Sequence, residues 1–140
     1  MDTRLAAINA VHEGGDRIRM EVRGHQIRSD QPVEDGGGDT APTPTELFLA
    51  ALAGCVAFFA ERFLRRHELP TDGLLVTCEY TWAGGPHRIG RIELNVDAPS
   101  LPVERREAFM RVIEHCTLHN TLRHPPETQV NLVTGRTVAA

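Results

Sequence analysis

Between Leu47 and Ala60 the chain reads L-F-L-A-A-L-A-G-C-V-A-F-F-A, a run whose only polar side chain is the thiol of Cys55. A helix that is apolar on every face must be buried on every face. Its start is marked by Thr43, which can accept an amide hydrogen bond at the N-cap, by Pro44 at the first helical position, and by Glu46, which completes a Thr-x-x-Glu capping box. Its end is expected between Arg65 and Glu68, with basic residues in the last turn and Pro70 beyond. The apolar run is shorter than the roughly twenty residues that cross a bilayer, so a buried core helix is expected, not a membrane span. A single domain has little scaffold to wrap such a helix completely, and a partner chain is the natural cover.

The remaining composition narrows the possibilities. A length of 140 residues fits one domain, 1–140, with a core large enough to need no disulfide staples. The formal net charge of −4 argues against nucleic acid as a partner. Lysine is absent, so arginine carries all the positive side-chain charge. No basic-apolar-small pattern opens the chain, which makes the cytoplasm the expected compartment. Cys55, Cys78 and Cys116 form neither a CxxC pair nor a zinc-ligand pattern, so no metal or other cofactor is expected, and any disulfide among them would be transient, catalytic or sensing.

In chain order, residues 4–28 alternate in strand fashion, most clearly from Arg17 to Arg23, with turns near Gly14-Gly15-Asp16 and Arg23-Gly24-His25. Ser29 to Thr43 holds Pro32, Gly36-Gly37-Gly38 and Pro42 among several acids and reads as a connection; Asp39 follows the glycines where a phosphate loop would place lysine. Leu74 to Thr81 and His87 to Val96 read as two strands of a hairpin, with Val76, Cys78, Tyr80 and Trp82 on its apolar face. A second helix is expected from Ser100 to about His115 with Val103, Phe109, Val112 and Ile113 inward, then a short helical turn over Cys116 to Leu122, then a closing strand from Thr128 to Val133.

Two thiols now stand out: Cys55 inside the apolar helix and Cys116 at a helix junction. Orphan amides at a helix N-terminus stabilise a thiolate, which predicts a lowered pKa for Cys116. A thiolate attacks a peroxide oxygen, and a second thiol condenses with the resulting sulfenic acid to a disulfide. The bland alternatives are packing residues, since free cysteine is among the most buried types. His115, His119 and His124 crowd Cys116 but match no common zinc spacing, and read as structural or surface histidines. The cluster Arg62, Arg65 and Arg66 reads as a solvated helix end.

The segments G-G-G-D-T-A-P-T-P-T-E-L-F-L-A-A-L-A-G-C (Gly36 to Cys55) and C-T-L-H-N-T-L (Cys116 to Leu122), with a hairpin and a helix between them, resemble the family of osmotically inducible protein C and organic hydroperoxide resistance proteins, the OsmC/Ohr family. The resemblance extends over the order of elements in nearly the whole chain. It implies an α+β fold in which antiparallel sheets wrap two long central helices of an intertwined homodimer. It also implies a thiol peroxidase for organic hydroperoxides, with Cys55 peroxidatic, Cys116 resolving, and Glu46 acting with an arginine to order the thiolate. Arg28 is the leading arginine, with Arg23 and Arg19 as alternatives, and the implied reductant is a dithiol, often a lipoylated protein. Thr117 stands where many relatives carry proline after the second cysteine, which sets the chain in a less characterised branch.

Helix geometry adds its own constraint. Glu46 and Cys55 are nine residues apart, on opposite faces of a straight helix and about 13 Å apart along its axis. If both serve one site, Glu46 must reach the Cys55 of a second subunit through antiparallel helices on a twofold axis. Capping alone gives Glu46 a complete structural reason. A non-enzymatic dimer that binds an apolar ligand or senses redox state is the competing expectation.

Overall fold

The computed structural model describes residues 6–135. Three short strands, β1 (Asn9–His12), β2 (Ile18–Val22) and β3 (His25–Ser29), form an antiparallel sheet in chain order, with Met20 opposite both Ala10 and Ile27. The expected strands are present from Asn9 onward, though none of the three alternates in burial, and the first residues of the reading, at 4 and 5, lie outside the described ones. Helix α1 spans Pro44–Arg66, β4 (Leu75–Ala83) and β5 (Arg88–Asp97) make the hairpin, and α2 (Arg106–Ile113) and α3 (Thr117–Arg123) follow.

The capping box at the start of α1 forms as the sequence requires. The Glu46 amide donates to Thr43 Oγ1 at 3.1 Å, and the Thr43 amide donates to Glu46 Oε1 at 2.9 Å. At the other end Arg65 and Arg66 occupy the last turn and His67 closes it, its Nδ1 donating to the Phe63 carbonyl at 2.8 Å. The whole helix, at 23 residues, is long and apolar enough to cross a membrane by length and composition, unlike the apolar run taken alone, because Phe63 and Leu64 extend the apolar character past Glu61 and Arg62. One side of α1 is core: Leu52, Val56, Ala60, Phe63 and Leu64 are buried with Phe109 and Ile113 of α2 and with Cys116. Phe63 and Phe109 meet edge to face at 5.3 Å between centroids.

The other side of α1 is bare. Ala51 and Phe58 are exposed there with Cys55 between them at helical spacing, and Phe48 and Phe58 are 48% and 51% exposed. The β1–β3 sheet is equally unsupported, making no extensive contact with any helix or with the hairpin, so its apolar Ile18, Met20 and Val22 are only half-buried. Three expectations are corrected. Thr128 to Val133 forms no strand, and Val130 and Leu132 stand 94% and 90% exposed because no strand edge of the described chain pairs with them. Tyr80 and Trp82 are exposed because the hairpin runs past the end of the core. Val103 and Val112 are exposed as well: a 3-10 turn over Val103–Arg105 resets the helical phase, so α2 buries Phe109 and Ile113 alone.

The hairpin register slips between Thr81 and Trp82, leaving Gly90 without a partner opposite. A side chain there would meet Ala83 Cβ at 2.7 Å, so the bulge requires glycine. Asp30, buried at the exit of β3, organises the connection to α1: its carboxylate accepts from Thr40 Oγ1 at 2.6 Å and from the amides of Thr40 and Gln31 at 3.0 and 2.8 Å. The Thr40 hydroxyl, followed by the amides of Thr40 and Gln31, draws its pKa from the ordinary 3.8 down to about 2.

A carboxyl with a depressed folded-state pKa adds stability that is full above its unfolded value and is lost as pH falls through the folded one. Acid unfolding should therefore show a component between about pH 4 and about 2 that disappears in Asp30→Asn. Urea midpoints measured across that range test it, and parallel pH profiles for the two proteins would refute the role.

Candidate functional site

Helix α1 and the junction before α3 bring two thiols together. Cys55 is half-buried and packs against the core cluster that contains the fully buried Cys116, near enough for its thiol to act on the pKa of Cys116. Both are free thiols. Cys116 is the N-cap of α3, its Sγ accepting from the His119 amide at 3.3 Å. That cap favours a thiolate, yet the expected lowering of its pKa is overturned. Burial pushes the Cys116 thiol up, and the adjacent Cys55 thiol pushes in the same direction, outweighing the His119 amide. Cys78 sits half-buried on β4 opposite Leu94, away from the pair, with burial raising its pKa as well.

The other expected site residues lie elsewhere in the chain. Glu46 is exposed in the first turn of α1, facing Tyr80, Trp82 and His87 across an open cleft of about 470 Å³. Arg28, on β3, pairs with Glu13 Oε1 at 3.3 Å and donates to Gln26 Oε1 at 3.4 Å. Arg19 pairs with Glu21 at 3.1 Å and Glu13 at 3.8 Å, and Arg23 occupies the β2–β3 turn with φ of 49°. One chain thus joins Cys55 to Cys116 and holds Glu46 and the three candidate arginines apart from them.

A cleft of about 610 Å³, which no sequence motif marks, lies between the start of α1, β5 and α3 and is lined by Phe48, Leu52, Ile92, Leu122, Arg91, His119 and Arg123. Burial, then the Arg123 guanidinium, lowers the His119 pKa, so its imidazole is neutral at neutral pH. Nothing in the sequence links Arg91 to Arg123; only the packing of the hairpin beside α3 does.

A family model for OsmC-like protein matches residues 36–131. No curated protein matches the chain by sequence. Among solved structures, a Psychrobacter arcticus 273-4 protein named for an osmotic stress induced detoxification response superposes with a TM-score of 0.75 at 19% identity, over 86% of this chain and 90% of its own. A Legionella pneumophila organic hydroperoxide resistance protein gives 0.66 at 21% identity, over 88% and 92%. An Elizabethkingia anophelis organic hydroperoxide resistance protein gives 0.65 at 19%, over 89% and 93%. At such identities the likeness is one of fold.

Alkylation of Cys116, followed by peptide mass spectrometry as pH is raised, should titrate above the ordinary thiol value of 9.0 and move back toward it in Cys55→Ser. A wild-type midpoint at or below 9.0 would show that the helix cap, not burial, governs this thiol.

Proposed function

The chain belongs to the OsmC-like protein family, and from that premise we propose that it is a thiol-dependent peroxidase acting on organic hydroperoxides as a cytoplasmic homodimer. The observation that carries the reading is that two free thiols share one cluster, Cys55 half-buried against it and Cys116 sealed within it. Cys55, as thiolate, attacks the distal peroxide oxygen; the O–O bond breaks, the alkoxide takes a proton and leaves as alcohol, and Cys55 becomes a sulfenic acid. The Cys116 thiol then condenses with it, forming the S–S bond and releasing water. A dithiol reductant, such as a lipoylated protein, returns both cysteines to thiols.

The raised pKa of Cys116 suits this division of labour. Its proton is retained until sulfenic acid forms beside it, so it does not compete as the attacking group. Support for the dimer comes from the bare face of α1 and the unsupported β1–β3 sheet, two apolar surfaces that a second copy would cover. In that arrangement Glu46 and an arginine, Arg28 first among them, reach Cys55 from the other subunit and stabilise the developing negative charge. The second reading, a dimer that binds an apolar ligand or senses oxidant without turnover, draws on the pairing of Arg28 with Glu13, which engages the leading candidate arginine elsewhere than at Cys55.

One equivalent of cumene hydroperoxide should produce a Cys55–Cys116 disulfide in the reduced protein and a sulfenic acid at Cys55 in Cys116→Ser. Three unmodified thiols in the peptide map would exclude both peroxidase and sensor. With a dithiol present, cumene hydroperoxide should be turned over faster than hydrogen peroxide, because the walls around the pair are apolar; oxidation without cycling would favour the sensor.

Subunit complementation tests the shared site. Glu46→Gln preserves the capping box, so mixing it with Cys55→Ser after reversible unfolding yields mixed dimers with one Cys55 facing one intact Glu46. Regained activity is expected from this mixture. If the mixture is no more active than its parents, Glu46 does not act across the twofold axis.

A further inference from the structure

Between the C-terminal third of α1 and α2 lies a second kind of cleft, of about 520 Å³, with Phe59 and Phe63 on one side and Val112 on the other. Three arginines line it, Arg62 and Arg66 from α1 and Arg111 from α2, and no carboxylate does. In a chain of net charge −4, three guanidinium groups around one hollow are a local departure from the charge balance. Helix dipoles account for part of it, since Arg65, Arg66 and Arg111 stand in last turns, where cations are stabilised. They do not account for Arg62, which precedes the last turn, nor for how the carboxylates are distributed. Arg65, outside the cleft, pairs with Glu61 at 3.2 Å, whereas Arg62 and Arg66, which line it, have no acidic partner among the described residues. Arg111 has Glu107 at 3.1 Å, an exposed i,i+4 pair that engages one nitrogen of its fork. The aromatic lining is ordered as well: His67 stacks on Phe63 with centroids 4.1 Å apart and 29° between the planes, and its Nδ1 donates to the Phe63 carbonyl.

We propose that this cleft binds a phosphate monoester of an aromatic ring compound, its phosphoryl group among Arg62, Arg66 and Arg111 and its ring against Phe59 and His67. Three guanidinium forks offer more donors and charge than the two oxygens and single charge of a carboxylate can use. A phosphate monoester brings three acceptor oxygens and a charge of about −2, and guanidinium is the side chain best matched to it. Aromatic and guanidinium planes give the ring a stacking surface that an aliphatic wall would not, and the cleft is of the size that small-molecule ligands occupy. The site lies at the opposite end of α1 from Glu46, and its occupancy does not depend on the peroxidase reading. Phe59 is the wall nearest the thiols, one turn after Cys55 and packed against the same core cluster.

Isothermal titration of the reduced full-length protein with AMP, phenyl phosphate, adenosine and inorganic phosphate reads the binding directly and needs no turnover. The two monoesters should bind more tightly than inorganic phosphate, and adenosine should bind least. Arg62→Gln or Arg66→Gln should each weaken AMP about tenfold, the value of one charge-assisted hydrogen bond, while Arg65→Gln, outside the cleft, leaves it in place. Phe59→Leu should bring AMP down toward inorganic phosphate without changing the affinity for phosphate itself. AMP tighter than phenyl phosphate assigns the ring to a nucleotide; equal affinities uphold the site for aryl phosphates in general. Adenosine binding as well as AMP, or no loss in the double variant of Arg62 and Arg66, would overturn the proposal. So would inorganic phosphate matching AMP, which would leave a charge cluster with no place for a ring. Retention of poly-glutamate in preference to AMP would assign the arginines to an acidic protein and equally sink it. If AMP binds and cumene hydroperoxide is not turned over, the peroxidase reading fails alone; if the reverse is found, only this inference does.

Discussion

The structure depends on how one helix is covered. Helix α1 carries apolar side chains around its whole circumference, and a chain of 140 residues buries only part of them. The β4–β5 hairpin, α2 and α3 take the side bearing Leu52, Val56, Ala60, Phe63 and Leu64. On the opposite side Phe48 and Phe58 keep about half their surface in water, leaving apolar area exposed at roughly 25 cal/mol per Å². Cys55, half-buried, lies on this bare side between Ala51 and Phe58 and also packs against the edge of the core cluster. The thiol that the proposed chemistry uses first is thus placed where the core ends and any second molecule, subunit or substrate, would begin.

That boundary separates the two cysteines chemically. Cys116 is enclosed, and enclosure in a low-dielectric core disfavours its thiolate even with a backbone amide directed at its sulfur. One amide at the start of a short helix is a weaker influence than the loss of water all around the side chain. In the proposed chemistry, a pair with one thiol held protonated and its neighbour half-buried would set the order of events, attack by the outer thiol and resolution by the inner one.

Local signals in the sequence were faithful where the structure is itself local. Thr43, Pro44 and Glu46 announced the start of α1, and the Arg65–Glu68 window contained its end. Both hairpin strands were legible from alternation to within a residue or two, and so was the short helix after Cys116. What escaped was tertiary. Alternation showed that Tyr80 and Trp82 share a face with Val76, but not that the core stops before reaching them. The T-Q-V-N-L-V pattern carried strand propensity, yet a strand needs an edge to pair with, and propensity does not supply one. The buried carboxylate of Asp30 had no signature beyond the turn residues around it, because its partners Thr40 and Gly38 lie ten and eight residues away. The raised pKa of Cys116 is invisible in the sequence for the same reason: the cap is local and the burial is not.

Glu46 shows how one residue can satisfy two demands. The capping box uses Oε1, which accepts from the Thr43 amide, and this fixes the carboxylate at the start of α1 in a defined orientation. Oε2 makes no hydrogen bond within the described chain, and Glu46 lines the cleft walled by Tyr80, Trp82 and His87. A carboxylate held by one oxygen has already lost most of its rotamer freedom, so a guanidinium arriving at the other oxygen meets a preorganised acceptor. Capping and the proposed ordering of an arginine therefore reinforce each other. Since Glu46 and Cys55 lie on opposite faces of one straight helix, that arginine can serve the thiolate only where a second helix brings a Cys55 to the same cleft.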